Sequence, residues 1–238
     1  LSAHGSHSIV TEKYLFAMPE TTIGLFPDVG GGYFLTRLAG ALGTFLALTS
    51  YRLKAADALW AGIAHAYVPS AKIEDLQAAL GAADLSGSRA NDKVDAVVAK
   101  FAADAGDPTL PALMPEIDRC FSAETLQEIV ASLRRSQSEF AQKQLAALMK
   151  LSPLSMAITL EQLRRCANRS FEDTMTIEYR MSQRCMQKGH DFFEGVRALL
   201  IDKDQKPQWK PPTIEGVTRA MVEEHFRPVA NDLKFDQS

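Results

Sequence analysis

The stretch Phe16-Ala-Met-Pro-Glu-Thr-Thr-Ile-Gly-Leu-Phe-Pro-Asp-Val-Gly-Gly-Gly32 is the most informative part of this sequence for the fold and for the chemistry. It carries two acidic residues, Glu20 and Asp28, and no other charge. Each acid follows a proline, which fixes the local backbone and favours a turn. Three glycines and a helical run of apolar residues come after Val29. We therefore expect Asp28 at or just before a helix N-terminus, where the helix dipole and unpaired N–H groups favour its ionised form.

The surroundings of the two acids suit chemistry on a small acyl group. The glycines allow a substrate to approach the backbone closely. Apolar neighbours are predicted to raise the pKa of Glu20 by desolvation; they are Leu15, Phe16, Met18, Ile23, Leu25 and Phe26. Two acids in unlike environments can then divide acid and base roles. From the spacing alone, the alternative that Glu20 and Asp28 only cap turns stays open.

The composition excludes several classes of protein. The chain has 238 residues, of which 46% are hydrophobic and 23% are charged, as expected for one globular domain or two small ones. The formal net charge of −3 argues against binding nucleic acid or anionic lipid through bulk charge. Three widely spaced cysteines, with no C-x-x-C motif, predict neither a disulfide scaffold nor a zinc site. No apolar run approaches the ~20 residues that cross a bilayer.

The hydrophobic pattern predicts few strands and many helices. Short strands are expected within 8–18 and at 65–68, and loops at 81–91 and at the proline-rich segment 104–115. Short helices are expected from Gly31 onward, and Ser152-Pro153 resembles a helix start. The longer helices are predicted at 73–80, 94–101, 125–135, 139–150, 156–165, 171–186 and 192–201. Because so few strands would leave sheet edges unpaired, we expect most of the sheet to lie upstream of Leu1.

Residues 12–48 resemble the crotonase (enoyl-CoA hydratase/isomerase) superfamily, whose members carry a Pro-Glu, a nearby Ile-Gly-Leu and a Pro-x-x-Gly-Gly before a helix. Further blocks at 152–160, at 178–183 and from 190 to 205, continuing through Pro207 and Trp209, resemble the same family, so the likeness spans nearly the whole chain. Asp28 stands where hydratases usually have glycine. In this respect the stretch resembles the acyl-CoA hydrolases of the superfamily. The resemblance implies an α/β, crotonase-like spiral fold, of which this chain is the C-terminal portion, mostly helical with a few short strands. It suggests two regions, 1–108 with the acidic site and 109–238 as a C-terminal helical region.

The resemblance also implies an activity, the hydrolysis of the thioester of a short branched 3-hydroxyacyl-CoA, a step of valine breakdown. The catalytic carboxylates would be Glu20 and Asp28. Glu20 either activates water or attacks the thioester carbonyl to give an anhydride, and Asp28 holds the substrate hydroxyl or the water. The sequence does not separate the two routes. Gly24, Phe193 and Lys203 are further predicted to contact the acyl-CoA.

Near the C-terminus, a basic set is predicted to help cover the adenine and 3′-phosphate of CoA. It consists of Arg197, Lys203, Lys206 and Lys210. Asp191 is predicted to cap the helix that follows His190. No metal or redox cofactor is expected, since CoA is part of the substrate.

In crotonases the thioester oxygen is held by two backbone N–H groups, one from an early loop and one from a glycine-rich segment before a helix. The resemblance puts both upstream of Leu1, so we expect the chain to lack its N-terminal part and, by itself, to lack thioesterase activity. The family suggests a location in the mitochondrial matrix. A homo-oligomer stays open, as does the alternative of a hydrolase-like structural component of a large mitochondrial assembly such as the mitochondrial ribosome. A hydratase or isomerase is disfavoured by Asp28.

Overall fold

The computed structural model describes residues 4–235. Two short strands, β1 (Ile9–Val10) and β2 (Ala66–Tyr67), pair in parallel, with Ile9 opposite Ala66. The twelve α-helices that the described residues form are α1 (Gly31–Leu35), α2 (Leu42–Thr49), α3 (Ala55–Trp60), α4 (Ile73–Ala82), α5 (Ala90–Val98), α6 (Leu110–Phe121), α7 (Leu126–Arg135), α8 (Glu139–Leu148), α9 (Pro153–Cys166), α10 (Phe171–Cys185), α11 (Asp191–Val196) and α12 (Arg219–Glu224). Short 3-10 turns lie at Glu20–Ile23, Ser70–Lys72 and Ile214–Gly216, and a π-helical turn lies at Arg197–Ile201.

The chain forms two compact units. One comprises residues 4–17 together with Arg52–Leu113, and its apolar core is built on Val68, Leu76 and Val98. The other comprises Met18–Tyr51 and residues 114–235. In this grouping the acidic stretch belongs with the C-terminal helices; the domain division at residue 108 stays a prediction.

Phe26, which lies between the two acids, anchors the acidic stretch in the core of the second unit. Its side chain is fully buried in a cluster that includes Ile158 of α9, Met181 of α10 and Phe226. Burial of one such side chain contributes about 1.5–3 kcal/mol. The segment that carries Glu20 and Asp28 is therefore held by α9 and α10.

Most predicted helices of the C-terminal half are confirmed. The side chain of Ser152 caps α9 and Pro153 occupies its first turn, as the Ser-Pro pair indicated. Thr125 and Glu128 form a capping box at the start of α7. The strand predicted at 65–68 is present as β2. Among the described residues, no helix is both long and apolar enough to span a membrane.

The loop predicted at 104–115 was wrong in part, because α6 begins at Leu110. The buried carboxylate of Asp57 accepts the N–H groups of Thr109, at 2.6 Å, and of Leu110, at 2.8 Å, and so caps this helix. Pro111 lies in the first turn, where the missing N–H costs nothing. The capping residue is more than fifty positions away in sequence, so local composition indicated only a loop. The loop predicted at 81–91 is also shorter, since α4 ends at Ala82 and α5 begins at Ala90.

Candidate active site

Glu20 opens the 3-10 turn Glu20–Ile23, directly after Pro19. Its Oε2 atom is buried and has no hydrogen-bond partner among the described residues. Burial raises the pKa of Glu20 from 4.5 to about 7, and repulsion from Asp28 and Glu178 adds to this. The predicted desolvation is confirmed. A buried carboxyl oxygen that is free to react and titrates near neutral pH suits a general base or a nucleophile.

Gly24 ends the Glu20 turn and lies against α11. Its φ of 72° is left-handed, and a Cβ atom added to it would lie 2.6 Å from the carbonyl carbon of Asp191. From the other side, a Cβ atom on Gly195 would overlap the backbone of Ile23. The backbones of α11 and of the Glu20 turn therefore touch through two glycines, and this contact holds the end of the turn that Glu20 begins.

Asp28 lies in the turn that leads into α1, as predicted, and its carbonyl accepts the N–H of Gly31 at 2.8 Å. The expectation that the helix end favours the ionised carboxyl was wrong, because burial raises the pKa of Asp28. The N–H groups of Gly30 and Gly32, which would offset the burial, donate instead to Glu178. Asp28 is thus a second carboxyl with a raised pKa beside Glu20.

Glu178 of α10 is a site residue that the analysis of single motifs missed. Its side chain is 2% exposed, and its two oxygens accept the N–H of Gly30 at 2.8 Å and of Gly32 at 2.9 Å. Burial raises the pKa of Glu178 to about 7. The two hydrogen bonds lower this pKa, whereas the negative charge of Asp28 raises it further. Helical spacing could have revealed it, since a glutamate stands on the buried stripe that Thr174, Met181 and Cys185 form on α10.

The predicted residues near the C-terminus lie on or just after α11. Phe193 is 48% exposed, and Lys203 is exposed with a left-handed φ of 56°. Among residues 4–235, no hydrogen bond or ion pair joins either of them to Glu20 or Asp28. Their contact with an acyl-CoA stays a prediction, as does that of Gly24.

Arg197 does not fit the predicted basic cover, since three acids neutralise it. It pairs with Glu194, Asp202 and Asp204, each at 2.7 Å. These partners lie within seven residues of Arg197, so the guanidinium is held in a local network rather than offered to a phosphate. In the basic set, Lys203, Lys206 and Lys210 are left as the candidates for phosphate contact.

His190, and not Asp191, caps α11, because its Nδ1 accepts the N–H of Phe192 at 3.1 Å. Asp191 is buried and accepts the hydroxyl of Ser152 at 2.5 Å and the N–H of Lys210 at 2.9 Å. The cap puts the proton of His190 on Nε2, which we assign as the donor to Nε2 of His225 at 3.0 Å.

Cys185, His190 and His225 are the one group in the described part of the chain whose spacing could hold a metal ion. In the assigned pattern, Nδ1–H of His225 donates to the carbonyl of Met221 at 2.8 Å, so every ring nitrogen of the two histidines is paired. His190 then offers no lone pair at Nε2 to a metal. That the protein needs no metal stays a prediction.

Comparison with known proteins gives a consistent picture. A family model described as enoyl-CoA hydratase/isomerase matches residues 1–226. The 3-hydroxyisobutyryl-CoA hydrolase, mitochondrial, of Gallus gallus is 50% identical over 98% of this chain and 61% of its own length. The protein of that name from Homo sapiens is 47% identical over 99% of this chain and 61% of its own length. The chain thus spans about three fifths of the curated relatives it matches.

Two solved structures share the fold. A carnitinyl-CoA dehydratase from Mycobacterium thermoresistibile superposes with a TM-score of 0.88 at 38% identity, over 100% of this chain and 66% of that one. An enoyl-CoA hydratase from Rhodobacter sphaeroides gives a TM-score of 0.86 at 38% identity, over 99% of this chain and 66% of that one. The predicted spiral α/β fold is confirmed by these matches.

Proposed function

The chain belongs to the enoyl-CoA hydratase/isomerase family, the crotonase superfamily, and from that premise we propose that the protein hydrolyses the thioester of 3-hydroxyisobutyryl-CoA to CoA and the free hydroxy acid. The observation that carries the proposal is the carboxyl pair: Glu20, with a buried unpartnered oxygen and a pKa raised to about 7, next to Asp28. The curated relatives described above, at 47% and 50% identity, bear the name of this activity.

Glu20 would carry the reaction in its ionised form. In one route it takes a proton from water while the water oxygen attacks the thioester carbonyl. The tetrahedral intermediate then expels CoA as a thiolate, which takes up that proton. In the other route Glu20 itself attacks the carbonyl and expels the thiolate, and water then opens the mixed anhydride. In either route, Asp28 accepts a hydrogen bond from the substrate hydroxyl or from the water.

The test uses the full-length protein, 3-hydroxyisobutyryl-CoA and a thiol-trapping assay of CoA release. Replacing Glu20→Gln removes the base or nucleophile, and we expect kcat to fall by a factor of about 10²–10⁴. Asp28→Asn keeps the size of the side chain but loses the acceptor charge, and we expect a loss of kcat/KM of about 10- to 100-fold. Near wild-type hydrolysis by both variants would show that the site is misassigned.

The assay also separates the alternatives. Both solved structures reported above are named for hydration or dehydration chemistry. A protein that adds water to an enoyl-CoA and leaves the thioester intact would belong with them. The relatives described above are named as hydrolases and give no support to a structural role in a mitochondrial assembly, so we do not propose one.

We further propose the mitochondrial matrix as the location, since the relatives are named mitochondrial. The acyl-CoA is the partner expected from the family, and no metal or redox cofactor is needed for either hydrolytic route. A homo-oligomer stays an expectation.

A further inference from the structure

We propose that Glu178 is a positioning residue for this hydrolysis: it holds the turn that carries Asp28 and acts on the substrate only through Asp28. The proposal rests on the proposed function, because it takes Asp28 as the acid that orients the hydroxyl or the water. It adds a residue that lies about 150 positions beyond Asp28 in the sequence and meets it only in the folded chain.

The two oxygens of Glu178 each accept one backbone N–H from the residues that follow Asp28 in the sequence. Oε2 accepts the N–H of Gly30 at 2.8 Å, and Oε1 accepts that of Gly32 at 2.9 Å. Between them and Asp28 lies Val29, whose φ of 50° is left-handed and unfavourable for a β-branched residue. A turn of this kind persists only where its surroundings hold it, and the bidentate carboxylate supplies that hold.

Gln162, which is hydrogen-bonded to Glu178, binds the residue that precedes Asp28 in the sequence. The side-chain amide of Gln162 donates to the carbonyl of Pro27 at 2.7 Å and to Oε1 of Glu178 at 3.1 Å. Pro27 immediately precedes Asp28, so the backbone is bound directly before and shortly after the acid. Glu178 and Gln162 together determine where the carboxyl of Asp28 stands.

The turn has no room to shift without disturbing this cluster. A Cβ atom on Gly32 would lie 2.9 Å from the sulfur of Cys166, 3.1 Å from Nε2 of Gln162 and 3.2 Å from Oε1 of Glu178. Glu178 is itself 2% exposed, and a carboxylate at that depth is retained only when its hydrogen bonds are satisfied. An apolar side chain at this position would leave the buried N–H groups of Gly30 and Gly32 without acceptors, so the carboxylate both satisfies these amides and fixes where the turn lies.

The decisive variant is Glu178→Gln in the full-length protein. Glutamine has the same shape but one acceptor oxygen, so its NH₂ group faces the amide of Gly30 or Gly32. We expect kcat for 3-hydroxyisobutyryl-CoA to fall about 10- to 100-fold while the protein stays folded. In the Asp28→Asn background the same change should cost less than about threefold, because residues that act as a unit are not additive.

Glu161→Gln provides the matched control. Glu161 on α9 is 7% exposed and pairs with Arg165 at 2.6 Å and with Arg164 at 3.3 Å, rather than with an amide of the Asp28 turn. This variant should change kcat by less than about threefold. Equal losses from Glu178→Gln in the wild-type and Asp28→Asn backgrounds would overturn the proposal, since they would mean a purely structural role. An unchanged kcat in Glu178→Gln would also overturn it.

A second measurement needs no substrate. In full-length protein labelled with ¹⁵N-glycine, the amide shifts of Gly30 and Gly32 should move together as Glu178 gains a proton, with a midpoint near its pKa of about 7. An unchanged titration of both amides in Glu178→Gln would contradict the hold, since the pKa of the neighbouring Asp28 is raised as well and its titration would then account for the shifts. If the wild-type protein releases no CoA, the proposed function fails, whereas this titration still decides whether Glu178 binds the turn.

Discussion

Glu20 combines two properties that oppose each other, a buried carboxyl oxygen and a negative charge that catalysis requires. The folded state raises the pKa of Glu20 from 4.5 to about 7, so the native protein binds this proton more tightly than the unfolded chain does. Its contribution to stability is therefore fully present below pH 4.5 and is lost as the pH rises through 7. At the pH where Glu20 is active, it destabilises the fold.

Replacing Glu20→Gln should therefore stabilise the protein at pH 8. The variant removes the cost of burying a charge, and we expect the free energy of unfolding to increase by about 1–3 kcal/mol. At pH 4, where the carboxyl is protonated in the native state, the gain should vanish. Urea denaturation at both pH values measures the difference.

Glu74 serves as the control, since it is an exposed glutamate on α4. Because Glu74 lies in the first turn of α4, Glu74→Gln should not stabilise the protein at pH 8 and should lower the free energy of unfolding by at most about 1 kcal/mol. A Glu20→Gln protein that is less stable than wild type at pH 8 would contradict the account of the buried charge.

At the scale of elements, the position of α11 against the Glu20 turn depends on Gly24 and Gly195. Either glycine leaves space for the backbone of the other segment, so the two segments meet with no side chain between them. This contact links α11, on which Phe193 lies, to the end of the turn that Glu20 begins. A side chain at either position would separate them.

Gly24→Ala and Gly62→Ala form a matched pair that isolates this contact. Both glycines are left-handed, with φ of 72° and 73°, but a Cβ atom on Gly62 meets nothing within 4 Å. We expect Gly62→Ala to cost about 1 kcal/mol of stability from backbone strain alone. Gly24→Ala should cost a further 1–3 kcal/mol or so, because Asp191 must move, and it should also lower kcat.

Urea denaturation gives the stability of both variants, and the thiol-trapping assay gives their activity. Equal losses of stability in the two proteins would mean that α11 can move away from a Cβ atom at Gly24 at little cost in free energy. The contact would then not position Glu20.

For the whole molecule, the sequence predicted those features that depend on neighbouring residues. The prolines before Glu20 and Asp28 and their apolar flanks identified both acids, and Ser152-Pro153 marked the start of α9. The order of helices from α7 to α10 followed from apolar spacing, because each buries one stripe. The family and its fold followed from motifs spread along nearly the whole chain.

The features that sequence analysis missed depend mostly on distant partners. Asp57 caps α6 from more than fifty residues away, and Glu178 takes the amides that Asp28 was expected to use. The pairing of Arg197 is the exception, since Glu194 and Asp202 lie close to it in sequence and were open to prediction. The protonation state of an acid in the site depends on which buried N–H groups donate to it. Local sequence patterns do not show which acid accepts each hydrogen bond.

The pH dependence of kcat/KM for 3-hydroxyisobutyryl-CoA, measured from pH 5 to 9 in the full-length wild-type protein and in Asp28→Asn, tests the central claim most directly. The active form has Glu20 ionised, and Glu178 must be ionised to accept both amides of the Asp28 turn, so we predict that activity falls as the pH drops through about 7. Because Asp28 raises the pKa of Glu20 by repulsion, this limb should move to lower pH in the residual activity of Asp28→Asn. An acid limb near the ordinary glutamate value of 4.5, or no release of CoA at any pH, would contradict the account.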